Sequence, residues 1–209
     1  MDIQAGDILD TRRSASLFQA QVAEYGFAYA ENALSDEVMA GLQAEATMRA
    51  AAAKPAEGSG DNPYRSSIAE IGSVACSFLN SPSVASLLRS TLGGTFTLSE
   101  KASCYTYYGS GSFLGRHLDR QEACAATLIV YLEAVTSDPP PRDTGLVLWV
   151  FGEDVFHEAE PHLTIPTRRG TLVVGRGARF WHERPLLQPG ERVVALTACF
   201  TECDKKTSS

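Results

Sequence analysis

The 209-residue chain has no run approaching the ~18–20 apolar residues of a membrane-crossing helix. Its first ten residues, MDIQAGDILD, are acidic and hold no apolar segment, so no secretory leader is expected. It also lacks a basic excess. Lys and Arg number 18 against 25 Asp and Glu, a formal charge of −7, and such a surface repels phosphate backbones. Nucleic acid and membrane are therefore not expected as partners. None of the five cysteines (Cys76, Cys104, Cys124, Cys199, Cys203) stands in a Cys-x-x-Cys pair. Their odd number, wide spacing and apolar surroundings predict reduced, mostly buried thiols in a cytoplasmic protein, with Cys124 and Cys199 as packing residues. No repeat of solenoid type is present. What the chain does have is 44% hydrophobic residues, enough for one buried core.

The first half reads as helical. SASLFQAQVAEYGF predicts a helix capped by Ser14 and stopped by Gly26, and FAYAENAL a short strand. SDEVMAGLQAEATMRAAAA predicts a helix capped by Ser35, with acids in its first turn and Val38, Leu42 and Met48 inside. Residues 54–67, rich in Gly, Pro, Ser and Asp, read as a loop. One or two helices follow, the second starting at Ser81–Pro82 and stopped at Gly93–Gly94. From residue 95 the texture changes to about eight short runs of Val, Leu, Thr and aromatics between turn residues, the pattern of a β-sandwich or barrel. The expected organisation is a single domain over 1–209, with 1–95 mainly helical support, a β-core over 96–203 and a frayed tail at 204–209.

Histidine is scarce: His117, His157, His162 and His182 are the full set. In GRHLDRQE, His117 and Asp119 stand two apart. On a strand, positions i and i+2 face the same side, so both side chains reach one point. A third ligand must come from another strand. His157 and His162 lie in stretches that read as exposed or structural, whereas His182 ends the run ARFWHE. Two histidines and one carboxylate form the facial triad that holds non-haem Fe(II) with three positions open. Ten residues after His182, past the turn QPGE, stands Arg192, whose guanidinium suits a carboxylate. Tyr131, in phase with Thr127 and Ile129, and Tyr107 are phenols that can donate to the same carboxylate.

The blocks CYTYYGSGSFLGRHLDRQEACAATLIVYLEA, TGLVLWVF, IPTRRGTLVVG and WHERPLLQPGERVVALTACF together resemble the 2-oxoglutarate/Fe(II)-dependent dioxygenases, in particular the prolyl-4-hydroxylase-like branch. The resemblance runs over about residues 100–201, and YGFAYAENALSDEVMAGLQAEA adds an N-terminal likeness. It implies an α+β fold with a double-stranded β-helix (jelly-roll) core preceded and flanked by N-terminal helices. It implies His117, Asp119 and His182 as iron ligands and Arg192, with Tyr131 and Tyr107, as the holders of 2-oxoglutarate. Ascorbate is a candidate reductant. The activity implied is hydroxylation of an unactivated C–H bond, with O₂ consumed and succinate and CO₂ released. Thr144–Gly145–Leu146 stands where the family often has a Gly-Gly pair, and the Pro-rich 136–144 precedes it. The compact chain favours a small-molecule substrate, an amino acid or natural-product intermediate. A peptidyl or prolyl hydroxylase and a non-catalytic 2-oxoglutarate-binding module are the alternatives. Segments 54–67 and 136–144 are candidate lids.

Overall fold

The computed structural model describes residues 11–60, 62–136, 144–153 and 160–203, with the side chains of 11–15 left aside. His157, most of the Pro-rich segment and the 204–209 tail lie outside the described residues. In chain order the elements are α1 (Thr11–Tyr25), β1 (Phe27–Ala30), α2 (Asp36–Ala50), β2 (Lys54–Gly58), β3 (Tyr64–Glu70), α3 (Ser73–Leu79), α4 (Pro82–Leu92), β4 (Phe96–Leu98), a 3₁₀ turn (Glu100–Ala102), β5 (Cys104–Tyr108), β6 (Phe113–His117), β7 (Ala126–Val135), β8 (Val147–Val150), β9 (Leu163–Pro166), β10 (Leu172–Gly175), β11 (His182–Arg184) and β12 (Arg192–Glu202).

The caps follow the sequence. Ser35 accepts from the Val38 N–H and Ser81 from the Val84 N–H, with Pro82 in the first turn of α4. Helix α1 begins at Thr11, ahead of the expected cap Ser14. Gly26 ends it at φ +74°, where a side chain would also collide with Phe180. The faces differ in detail from the expectation. Phe18 is buried where Leu17 is half exposed, and Met48 points to solvent at 71% exposure.

Residues 54–67 form a hairpin rather than a loop. The turn chemistry is confined to 59–63, and from Tyr64 the chain alternates, with Tyr64, Ser66 and Ile68 lining the cavity described below. Pro55 is tolerated because β2 pairs only with β3, as an edge strand. Among the described residues, the first 95 therefore supply three strands as well as four helices.

All the strands belong to one antiparallel sheet, in the order β1-β10-β7-β12-β5-β3-β6-β11-β8-β9, with β2 on β3 and β4 on β12. Strand β3 carries the sheet round a corner, since Ser67–Glu70 pairs with β5 while Tyr64–Arg65 pairs with β6. The result is a nearly closed jelly roll whose two faces are sorted by strand parity. On β7, Leu128, Val130 and Leu132 face the helices, while Thr127, Ile129 and Tyr131 face inward. On β12, Leu196, Ala198 and Phe200 face the helices, while Ala195, Thr197 and Cys199 face inward. The outer face packs against Phe18, Leu42, Phe78 and Leu88.

One charge sits in this outer layer. Glu45 of α2 is 4% exposed. Its carboxylate accepts from the backbone N–H groups of Gly72, Val74 and Ala75 at the start of α3 and from the Tyr105 hydroxyl, at 2.7–3.1 Å. Burial, together with the Glu45 charge, pushes the Tyr105 phenol far above its usual range. Glu45→Ala leaves these buried donors unmet, and the expected loss is on the order of 3–5 kcal/mol in urea unfolding. A loss below about 1 kcal/mol contradicts this account.

Candidate metal centre and its cavity

Strands β6 and β11 pair so that His182 lies opposite His117. Asp119 follows β6 in a loop held by its own N–H, which donates to the Gly177 carbonyl at 2.9 Å. The three residues converge. Asp119 Oδ1 lies 3.5 Å from His117 Nε2 and 3.8 Å from His182 Nε2. Both pairs fall within the ~4 Å that two metal bonds of about 2.1 Å can span. Each histidine has Nδ1 against a carbonyl, His117 on Gly115 at 2.9 Å and His182 on Phe180 at 3.0 Å. A carbonyl only accepts, so Nδ1 carries the proton and the Nε2 lone pair faces Asp119. The Thr127 hydroxyl donates to Asp119 Oδ2 at 2.5 Å, leaving Oδ1 toward the histidines. Two neutral imidazoles and a carboxylate, with donors on one side, fit a divalent first-row ion with open positions. Among the described residues this is the sole cluster of this kind.

The charges agree with that use. Burial raises the Asp119 carboxyl, but His182, His117 and Thr127 outweigh it and hold it down at about 2. Burial, with His117 beside it, pulls His182 down to about 4 against the opposing pull of Asp119 and the Phe180 carbonyl. For the metal-free protein the sign follows directly. As pH falls below about 6.5, the unfolded chain binds a proton at residue 182 that the folded chain refuses until about pH 4. Stability is full above that window and falls through it, by about 3 kcal/mol. Unfolding midpoints between pH 7 and pH 4 test this, and the loss should shrink in His182→Gln. An equal slope in the variant refutes the assignment.

A cavity of about 260 Å³ opens behind the triad. Its far end holds Arg184, two residues after His182 and on the same inner face of β11. Arg184 is 3% exposed. It donates to the Tyr131 hydroxyl at 2.7 Å, to Thr167 Oγ1 at 2.9 Å and to the Gly145 carbonyl at 3.2 Å. Among the described residues no carboxylate pairs with it. Tyr108 lines the same end, its phenol pushed up to about 12 by burial, with Arg184 pulling the other way. A buried cation without an anion is costly, and a carboxylate ligand relieves it. Glu191, itself 1% exposed, braces this end by accepting from Thr144 Oγ1 and the Gly145 N–H.

The structure brings His117, Asp119, His182 and Tyr131 to one cavity, but not Arg192 or Tyr107. On β12 the even-numbered residues face the helices, and Arg192 shares their phase. It is 62% exposed and ion-paired with Glu133. Tyr107 likewise points outward and donates to the Ala46 carbonyl at 2.6 Å, while Tyr108 faces the cavity. Arg184, Tyr108 and Thr167 lie outside the residues the sequence points to, although the i, i+2 rule read there for His117 and Asp119 holds for His182 and Arg184 on β11, whereas Asp119 stands past the end of β6. Arg116, flanking the triad, bonds Glu183 and stacks on Phe151 outside the cavity, and Arg120 is exposed. Cys124 and Cys199 are not separate thiols: they form a disulfide that ties the loop after Asp119 to β12. Among the described residues no helix is long and apolar enough to cross a membrane.

No family model matches the chain, and no curated protein does. Solved structures do. One is a prolyl hydroxylase from Trichoplax adhaerens in complex with a hypoxia inducible factor oxygen degradation domain peptide fragment. It is 18% identical over 92% of this chain and 90% of that one, with TM-score 0.69. A prolyl-4-hydroxylase from Pseudomonas putida is 22% identical over 91% and 99%, with TM-score 0.62. The non-heme alpha ketoglutarate dependent epimerase SnoN from nogalamycin biosynthesis is 17% identical over 92% and 82%, with TM-score 0.69. The chain thus has the jelly-roll fold of the 2-oxoglutarate/Fe(II) oxygenases, prolyl hydroxylases among them.

Proposed function

We propose that the chain is an Fe(II)- and 2-oxoglutarate-dependent oxygenase that hydroxylates a small molecule. The observation that carries this is the pairing, in one cavity, of a His₂Asp triad with a buried arginine that has no carboxylate partner among the described residues. His117, Asp119 and His182 would hold the iron, which would supply the O₂ chemistry that couples loss of CO₂ from 2-oxoglutarate to insertion of one oxygen atom into a C–H bond. The remaining work belongs to the chain. Arg184, steadied by Thr167 and joined by the Tyr131 hydroxyl, takes the distal carboxylate of 2-oxoglutarate and fixes its orientation. Ile129, Leu114 and Leu148 line the space between and exclude water. The modest cavity favours a small substrate. The Trichoplax neighbour's peptide complex is the observation on the side of a protein substrate.

The test is succinate release from 2-oxoglutarate by anaerobically iron-loaded protein after O₂ is admitted. Release should require iron and vanish in Asp119→Ala. Equal release by wild type and variant overturns the proposal, and stimulation by peptides but not by small molecules overturns its substrate half.

A further inference from the structure

The inner face of the sheet carries a line of four hydroxyls, of which the metal centre uses only the last and the Arg184 end none. Ser67 pairs with Tyr107 in register, so Ser66 stands opposite Tyr108, and Thr106 is two residues on from it. Thr106 pairs with Ala195, and Thr197 is two residues on. Thr197 pairs with Ile129, and Thr127 is two residues on. Ser66, Thr106, Thr197 and Thr127 therefore step diagonally across β3, β5, β12 and β7, each a diagonal neighbour of the next. All four line the cavity, and the last grips Asp119. Thr106 meets Thr197 and the Cys104 sulfur only weakly, each at 3.4 Å, and among the described residues no hydrogen bond reaches the Ser66 hydroxyl.

The rest of the lining sharpens the point. Among the described residues, and apart from the histidines, the charged residues of the lining are Asp119 and Arg184, both assigned above to metal and cosubstrate. Ala56, Ala102 and Ile68, the last 40% exposed, add apolar surface. A carboxylate or ammonium on the substrate would find no opposite charge here, and its desolvation would go uncompensated. Hydroxyls both donate and accept, so they match hydroxyl and carbonyl oxygens alike.

We propose that Ser66, Thr106 and Thr197 form the track along which substrate lies, and that the substrate is an uncharged small molecule bearing hydroxyl or carbonyl oxygens on an apolar frame. This rests on the oxygenase reading and narrows it against free amino acids.

The test uses anaerobic, iron-loaded protein saturated with 2-oxoglutarate. Its probes are fragments in four equal sets: neutral polyols, phenols and cyclic ketones; neutral hydrocarbons; carboxylates; and amines. Paramagnetic broadening of fragment NMR signals reports those lying near the iron. The oxygen-bearing neutral set should broaden at least tenfold more often than either charged set. The Ser66→Ala/Thr106→Val/Thr197→Val protein should bind those hits at least tenfold more weakly, with 2-oxoglutarate affinity unchanged within twofold and the melting temperature retained. If the triple variant does not fold, Thr197→Val alone is read the same way. Charged fragments broadening as often, no set broadening, or variant binding equal to wild type each overturn the proposal. Iron and 2-oxoglutarate binding by the wild type are measured first by calorimetry. Failure there removes the oxygenase reading itself, whereas failure only in the fragment arm removes only the track.

Discussion

Arg184→Met should weaken 2-oxoglutarate binding on the order of 10²–10⁴-fold, the equivalent of the ~3–5 kcal/mol that losing one member of a buried charge pair costs. Arg192→Ala should leave it within twofold. The contrast follows from burial. Arg184 is 3% exposed, held by Tyr131, Thr167 and Gly145, and faces the cavity. Arg192 is 62% exposed on the opposite face and engaged by Glu133. Arg184→Lys should fall between, because an ammonium keeps the charge but not the planar fork. Thermal unfolding gives an independent readout. Saturating 2-oxoglutarate should raise the wild-type Tm and leave that of Arg184→Met unmoved. Equal affinity in Arg184→Met and wild type would mean that the cosubstrate is anchored elsewhere.

Gly177→Ala should lower metal affinity by about 10–100-fold, the scale seen when the partners of metal ligands are lost. A Cβ at this position would lie 2.0 Å from Asp119 Oδ2 and 2.6 Å from Thr127 Oγ1. The carboxylate must turn away, breaking the Thr127 hydrogen bond that directs Oδ1 toward the histidines. The overpacking itself costs about 1–3 kcal/mol of stability. Gly109→Ala is the matched control, since nothing lies within 4 Å of its added carbon. Metal titration of the two variants decides the matter, and indistinguishable affinities would refute it.

Where a rule of local geometry applied, the sequence was legible. The caps Ser35 and Ser81 and the alternation along β7 reappear in space, and His117 and Asp119 do converge, although Asp119 stands in the loop after β6 rather than on the strand. The length of a turn, unlike the phase of a strand, does not set the direction of a side chain. Arg192 does come back on the strand after QPGE, but it comes back with the parity of Val194 and Leu196, which face the helices. Tyr107 differs from Tyr108 by a single residue, and a single residue changes the face. The hairpin of β2 and β3 was hidden because its turn residues dominate the composition of 54–67. The disulfide joins cysteines 75 residues apart, and only the pairing of β7 with β12 brings them together.

His182 and Arg184 sit on one three-residue strand. Two residues of extended chain cover about 6.6 Å, so a single span of covalent backbone separates the proposed metal ligand from the proposed carboxylate anchor. The spacing is a gauge of fixed length. Were the anchor on a neighbouring strand, sliding or breathing of the sheet would alter that length. Here both ends of the gauge travel together, so on the proposed reading the cavity should select one chain length of dicarboxylate even as its walls move.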